Sequence, residues 1–317
     1  MKTIFKSSAL IGVLALVLLA PGLGQAMTFD SIVVFGGSVS DPGNFFALTG
    51  ITNRPPYDQV DPFLVPTGPY TKGGNHFSNG DTWIEQYAKP RGLVRSVNPA
   101  FRGSSPYATN YAVGGARSTD VALTFDMPEQ VGAFLSDHGN VAPSDALYVI
   151  DFGGNDVRDA LAELPDQNKA GLVIQNALNS IYLNLATLYA AGARKFLFLN
   201  VANIGRLPSV LILDNPDAAA AATALTHVFN DGLDFIIDNL LPPDTEVAVL
   251  DVFQTVENLT TYPQDYGLIE VQKACITPDV PPFTCQKEDE YLFWDGIHPT
   301  KAVQAIFAQE AAAVLGQ

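Results

Sequence analysis

The chain has 317 residues, with 17 Lys and Arg against 33 Asp and Glu, a formal net charge of -16 at pH 7 and 47% hydrophobic residues. So acidic a chain repels phosphate backbones and anionic lipid surfaces, which argues against a nucleic-acid partner, and so apolar a chain is not a disordered acidic tail. The length allows one large domain or two small ones, each reading leaving enough residues to bury a sizeable core.

Residues 1–26 read as a secretory signal peptide. Lys2 and Lys6 give a positive start, an apolar run of twelve residues extends from Ala9 to Ala20, and the segment closes on small residues. Spanning a bilayer takes about 20 apolar residues, so the run is too short for an anchor and no stable membrane insertion is expected. No cysteine is at hand for lipid attachment. The mature protein is therefore expected to be residues 27–317, a single domain that is secreted or periplasmic, with a charge of -18 once two lysines and no acids are removed.

Four stretches read as buried strands: SIVVFG (31–36), ALYVIDFG (146–153), KFLFLN (195–200) and EVAVLDV (246–252). Each is a continuous apolar run, as expected where both faces of a sheet are covered. Helical patterns lie at 82–89, 175–193, 217–240 and 301–316, with Gly192 as a stop signal. Strands alternating with helices predict an α/β sandwich around a mostly parallel sheet.

Two long stretches break that alternation. Residues 50–80 are rich in Pro, Gly and Tyr, and residues 258–290 carry Cys275 and Cys285. In an exported chain the cysteine pair reads as one disulfide. A zinc site would need four ligands, and no histidine lies in that segment. The aromatics Tyr57, Phe63, Tyr70 and Phe77 either line a pocket or pack their own loop down, since aromatic rings serve both ends.

Active sites of open α/β sheets gather where loops leave the carboxyl ends of strands. The first strand ends in Gly36-Gly37-Ser38, and the strand from 146 ends in Gly153-Gly154-Asn155-Asp156. Asn155-Asp156 either faces a shared crevice or caps the next helix. The segment NYAVGGARS (110–118) offers a glycine pair that is either an oxyanion donor or an ordinary turn. In YLFWDGIHPTKA (291–302), Asp295 precedes His298 by three residues. A carboxylate so placed can hold Nδ1 and leave Nε2 as a base, the alternative being a surface loop with a capping aspartate. His76, His138 and His227 are scattered and read as packed or solvated. Together the four pieces supply a nucleophile, an oriented base and oxyanion donors, the parts needed for acyl transfer from an ester. The order and spacing do not suit an α/β-hydrolase, which needs a G-x-S-x-G elbow in mid-chain.

FGGSVSDPGN, FSNGDTWIEQYA, NYAVGGA, GGND and DGIHPT, in this order, resemble the conserved blocks of the SGNH hydrolases, also called GDSL lipases and esterases. The resemblance covers almost the whole mature chain and is closest to the secreted lipase and esterase branch. It implies a flavodoxin-like three-layer sandwich with no metal and no organic cofactor. It implies Ser38 as nucleophile, His298 as base, Asp295 as its orienter, and an oxyanion hole from the N–H groups of Ser38 and Gly115 and the amide of Asn155. Gly37 stands where the family usually has aspartate, so an active but less rigid turn is expected. The function expected is a secreted serine esterase or lipase acting on a lipid or small acyl ester. The alternatives are a phospholipase or acyltransferase, a carbohydrate acetylesterase, and a catalytically inactive binding protein retaining the fold. The sequence defines neither the natural acyl chain nor the oligomeric state.

Overall fold

The computed structural model describes residues 26–57, 75–103, 105–121 and 125–317. All of the expected leader but its last residue, together with Phe63 and Tyr70, lies outside the described residues. The strands are β1 (Ser31–Gly36), β2 (Ala146–Asp151), β3 (Lys195–Leu199), β4 (Glu246–Leu250), β5 (Glu270–Ala274) and β6 (Tyr291–Phe293). The helices are α1 (Asn44–Thr49), α2 (Trp83–Ala88), α3 (Met127–Asp137), α4 (Gly154–Ala162), α5 (Gln167–Ala191), α6 (Pro208–Leu211), α7 (Pro216–Asn239), α8 (Val252–Thr261) and α9 (Lys301–Val314).

The first four strands form one parallel sheet in the order β1-β2-β3-β4. Residues 109–113 extend it beyond β1. Val34 N–H donates to the Thr109 carbonyl at 3.0 Å, and the N–H groups of Tyr111 and Val113 donate to the carbonyls of Val34 and Gly36 at 2.8 and 3.0 Å. In chain order this edge segment is the second to join the sheet, so the spatial order is 2-1-3-4-5, the flavodoxin-like winding. The winding reverses at β1, and a crevice opens between the carboxyl ends of β1 and β2, where ligands of doubly wound sheets bind. In the observed register Gly36 sits opposite Asp151. Ser38 and the segment after residue 151 therefore leave the sheet side by side.

Successive residues Ile32–Phe35, Leu147–Val149 and Phe196–Phe198 are all buried. Because neighbours along a strand point to opposite faces, both faces of the sheet are covered. Helices α3, α4, α5 and α7 pack among themselves, and α2 packs on α9, which also meets β4. This is the three-layer α/β sandwich expected from the sequence.

The cysteine segment is not a bare loop. β5 and β6 form a small parallel pair, and Cys275 and Cys285 are joined in a disulfide. On the chain-entropy account, closing a loop of this size stabilises the fold by about 3 kcal/mol. The N–H groups of Cys275 and Ile276 donate to the carbonyls of Phe293 and Trp294, both at 3.0 Å. Tyr57, Cys275, Ile276 and Trp294 form a buried cluster next to the turn that carries Asp295 and His298. The staple thus braces the strand from which that turn departs.

Candidate active site

β1 ends at Gly36, whose N–H and carbonyl are clamped by the buried Gln130 of α3. The Gln130 Oε1 accepts from the Gly36 N–H at 2.8 Å, and its Nε2 donates to the Gly36 carbonyl at 2.9 Å. The chain then turns. Gly37 N–H donates to the Asp151 carbonyl at 3.1 Å, and Ser40 N–H donates to the Gly37 carbonyl at 3.3 Å. The Ser40 hydroxyl donates to Asp151 Oδ2 at 2.7 Å and accepts from the Trp83 indole N–H at 2.9 Å. These bonds fix the turn on which Ser38 stands.

Asp41 and Asn44 tie the same turn to the edge segment. Buried Asp41 accepts the N–H groups of Gly43, Asn44, Phe45 and Gly114. Its burial pushes the carboxyl up to about 6 despite these four donors. The Asn44 amide donates to the carbonyls of Asn110 and Ala112 at 2.8 and 2.9 Å, and the Asn110 amide donates back to the Ser40 carbonyl at 2.9 Å.

Ser38 Oγ lies 2.7 Å from His298 Nε2, and His298 Nδ1 lies 2.7 Å from Asp295 Oδ2. Asp295 is 0% exposed and His298 3%. The second oxygen of Asp295 accepts the N–H groups of Ile297 and His298, both at 2.7 Å, so the carboxylate is locked from two sides. Residues 77–79 clamp this turn from outside. The Phe77 ring lies 5.1 Å from the His298 ring, the Ser78 hydroxyl donates to the Pro299 carbonyl at 2.9 Å, and Asn79 Oδ1 accepts the Lys301 N–H at 2.7 Å.

The glycine pair resolves by hydrogen bonding. The Gly114 N–H is spent on Asp41 Oδ2 at 2.8 Å, whereas those of Gly115 and Ser38 have no acceptor among the described residues. Gly115 has φ +84°, a conformation that disfavours a side chain. At Gly114 a Cβ would come within 2.1 Å of the Phe77 ring, so glycine there lets that ring reach His298. The Asn155 amide Nδ2 donates to the Ala116 carbonyl at 2.9 Å, leaving its second hydrogen free. Asp156 does not cap its own helix. It accepts both the N–H and the hydroxyl of Ser118, while Arg117 grips Asp159 through bonds of 2.9 and 3.0 Å. The segments after the edge strand and after β2 are thereby bound to each other.

Asp156 is buried, which raises its pKa from 3.8 to about 6. The folded chain then holds this proton more tightly than the unfolded one. The resulting stability is present below about pH 4 and is lost as the pH climbs through 6. Asp156→Asn keeps an acceptor for Ser118 and removes the ionisation. It should flatten the fall in thermal stability between pH 4 and 7 by on the order of 2–3 kcal/mol. An unchanged slope in pH-dependent melting would count against this.

Gly37 leaves room for the side chain that the family usually carries. A Cβ there would lie 3.7 Å from Asn155 Nδ2 and 3.9 Å from the Ala116 carbonyl, ordinary contact distances. Gly37→Asp should therefore fold, gain about 0.5–1 kcal/mol by restricting the unfolded chain, and keep ester hydrolysis. A melting temperature below that of the wild type would refute the expectation.

A cavity of about 900 Å3, including solvent at its opening, is lined by Ser38, Asn155 and Arg158 and otherwise mostly by apolar side chains. Leu199, Val201, Ile204, Val252, Phe293 and Phe307 are among them. Tyr57 and Phe77 do not line it: Tyr57 packs on Trp294 and the disulfide, and Phe77 on His298. The apolar space instead lies along the carboxyl ends of β2, β3 and β4. Among the described residues no helix is long and apolar enough to cross a membrane.

A family model described as GDSL-like lipase/acylhydrolase matches residues 32–311. GDSL esterase/lipase At1g71691 of Arabidopsis thaliana is 28% identical over 340 residues, covering 92% of this chain and 85% of that protein. GDSL esterase/lipase At4g18970 of the same plant is 25% identical over 312 residues, covering 88% and 86%. A crystal structure of protein YxiM from Bacillus subtilis aligns with a TM-score of 0.41 and 13% identity, covering 91% of this chain and 56% of that one.

Proposed function

Because the chain belongs to the GDSL-like lipase/acylhydrolase family and is a carboxylic ester hydrolase like its curated relatives, we propose that it is a secreted, single-domain serine esterase working through an acyl-enzyme. The observation that carries this reading is the chain of 2.7 Å contacts from Ser38 through His298 to Asp295. Asp295 accepts a hydrogen bond from the Nδ1–H of His298 and so leaves Nε2 unprotonated toward Ser38. Ser38 Oγ attacks the ester carbonyl while His298 takes its proton. The charge that develops on the carbonyl oxygen is met by the free N–H groups of Ser38 and Gly115 and the spare hydrogen of the Asn155 amide. Collapse expels the alcohol, which takes the proton from His298. A water activated by the same imidazole then releases the acid and restores the serine.

The apolar cavity next to Ser38 favours an acyl chain over an acetyl group, since burial of methylene groups contributes about 0.8 kcal/mol each. The disulfide and the signal-like leader support export into an oxidising compartment. The test is hydrolysis of p-nitrophenyl esters of increasing acyl length by residues 27–317. Turnover that rises beyond acetate is expected. Absence of turnover at every length would bring forward the binding-protein reading, and a maximum at acetate would bring forward the acetylesterase.

A further inference from the structure

Arg158 is the one cationic side chain among the described residues that line the cavity opening at Ser38. It follows Asn155 by three positions on α4, so the two side chains share a helix face. Its Nη1 donates to Asn155 Oδ1 at 3.3 Å, a long contact. The carboxylates around it are committed elsewhere. Asp159 is held by Arg117, Asp156 by Ser118 and Asp295 by His298. Asp151, the other ionisable residue in the lining, accepts the Ser40 hydroxyl. A guanidinium has five donors in a planar fork. Burial with so few acceptors disfavours its charge and holds it below the ordinary arginine range. The partner that matches this fork is a planar or tetrahedral oxyanion, which takes two parallel N–H bonds.

We propose that Arg158 recognises the substrate, and that the esters turned over best carry a carboxylate or phosphate a few bonds from the scissile carbonyl. The separation follows from the helix: side chains three positions apart start about 5–6 Å from each other. A carbonyl oxygen on Asn155 and an anion on Arg158 thus fit within one small molecule. This inference rests on the serine-esterase reading and names the substrate class which that reading leaves open. It also accounts for a cation in a mostly apolar lining on a chain of net charge -16.

Two pairs of esters, each differing by the anionic group, test it. One sets mono-p-nitrophenyl succinate against p-nitrophenyl butyrate; the other sets 1-butyrylglycerol 3-phosphate against 1-butyrylglycerol, followed by acid release. The wild type should favour the anionic member of at least one pair by about tenfold or more in kcat/KM, and the pair that responds tells carboxylate from phosphate. Arg158→Gln should bring that ratio close to one, with Arg158→Lys in between. No preference in either pair overturns the proposal. So does an equal loss on both members in Arg158→Gln, which would make Arg158 only a support for Asn155. Calorimetric binding of the preferred anionic ester to Ser38→Ala, with and without Arg158→Gln, reads the arginine independently of turnover. About tenfold weaker binding without the arginine is expected, and unchanged binding refutes it. If Arg158 dominates binding while the wild type hydrolyses nothing, it is the esterase reading that fails.

Discussion

Ser38→Ala is expected to lower kcat for p-nitrophenyl ester hydrolysis by on the order of a million-fold, and His298→Ala by a similar factor, because each removes a member of a unit that works only as a whole. The structural basis is the 2.7 Å contact between Ser38 Oγ and His298 Nε2. Without the imidazole the hydroxyl keeps its proton, and without the hydroxyl the imidazole has no nucleophile to activate. The double variant should therefore be little worse than either single one. What remains should exceed the uncatalysed rate by about 10^3–10^4, supplied by the oxyanion donors and by binding. Single-turnover measurements beside melting curves would separate lost chemistry from lost fold. Alanine at 38 removes an exposed-side hydroxyl from a turn held by Gln130, Ser40 and Asp41, so the fold should persist. Losses that multiply in the double variant, or turnover near wild type in Ser38→Ala, would remove Ser38 and His298 from their roles.

Much of the fold was legible because the strands are buried on both faces. SIVVFG coincides with β1, and the other three apolar runs overshoot β2, β3 and β4 by only one or two residues at their ends. Boundaries failed where pattern and packing part company. α5 begins at Gln167, eight residues before the periodic stretch, because its first turn is polar and is started by Asp166 accepting the Lys169 N–H. The edge segment 109–113 pairs through backbone bonds to β1, and its five residues, with Asn110 and Ala112 between the strand-forming Thr109, Tyr111 and Val113, are too short a run to stand out. α3 was missed although Asp126 and Pro128 mark its start. β5 and β6 are so short that the cysteine segment reads as loop.

The sequence named the side chains that meet at the candidate site and not the ones that support them. Ser38, Asn155, Asp295 and His298 are residue types with few reasons to sit where they do. Gln130, which clamps Gly36, is a lone amide in an apolar helix, and nothing near it in sequence says that its partner lies 94 positions away. Asp41, Asn44 and Asn110 belong to the quoted blocks, but their task of lashing the serine turn to the edge segment depends on the winding of the sheet. Arg117 and Asp159 join two segments for the same reason. Local chemistry can be read from a short window, whereas contacts across the crevice exist only once the strands are ordered.

Asp295→Asn is expected to cost about 10^4-fold in kcat, less than the loss of Ser38 or His298 and far more than the loss of an ordinary hydrogen bond. The reason lies in how Asp295 is held. Its Oδ1 accepts two backbone N–H groups at 2.7 Å, and its Oδ2 faces His298 Nδ1 at 2.7 Å. An asparagine has one oxygen and one NH2. If the oxygen keeps the two backbone donors, the NH2 must point at Nδ1, which can then only accept. The imidazole proton moves to Nε2, and the base facing Ser38 is no longer a base. If the amide flips, its NH2 meets two N–H donors in a site with no exposure to water, where unpaired donors cost about 1–3 kcal/mol each. The first arrangement wins, so the fold survives and the tautomer is wrong. The signature is a large fall in kcat with KM nearly unchanged and melting close to wild type. Activity within tenfold of wild type would mean that Asp295 only caps the turn, and that His298 keeps its working tautomer by other means.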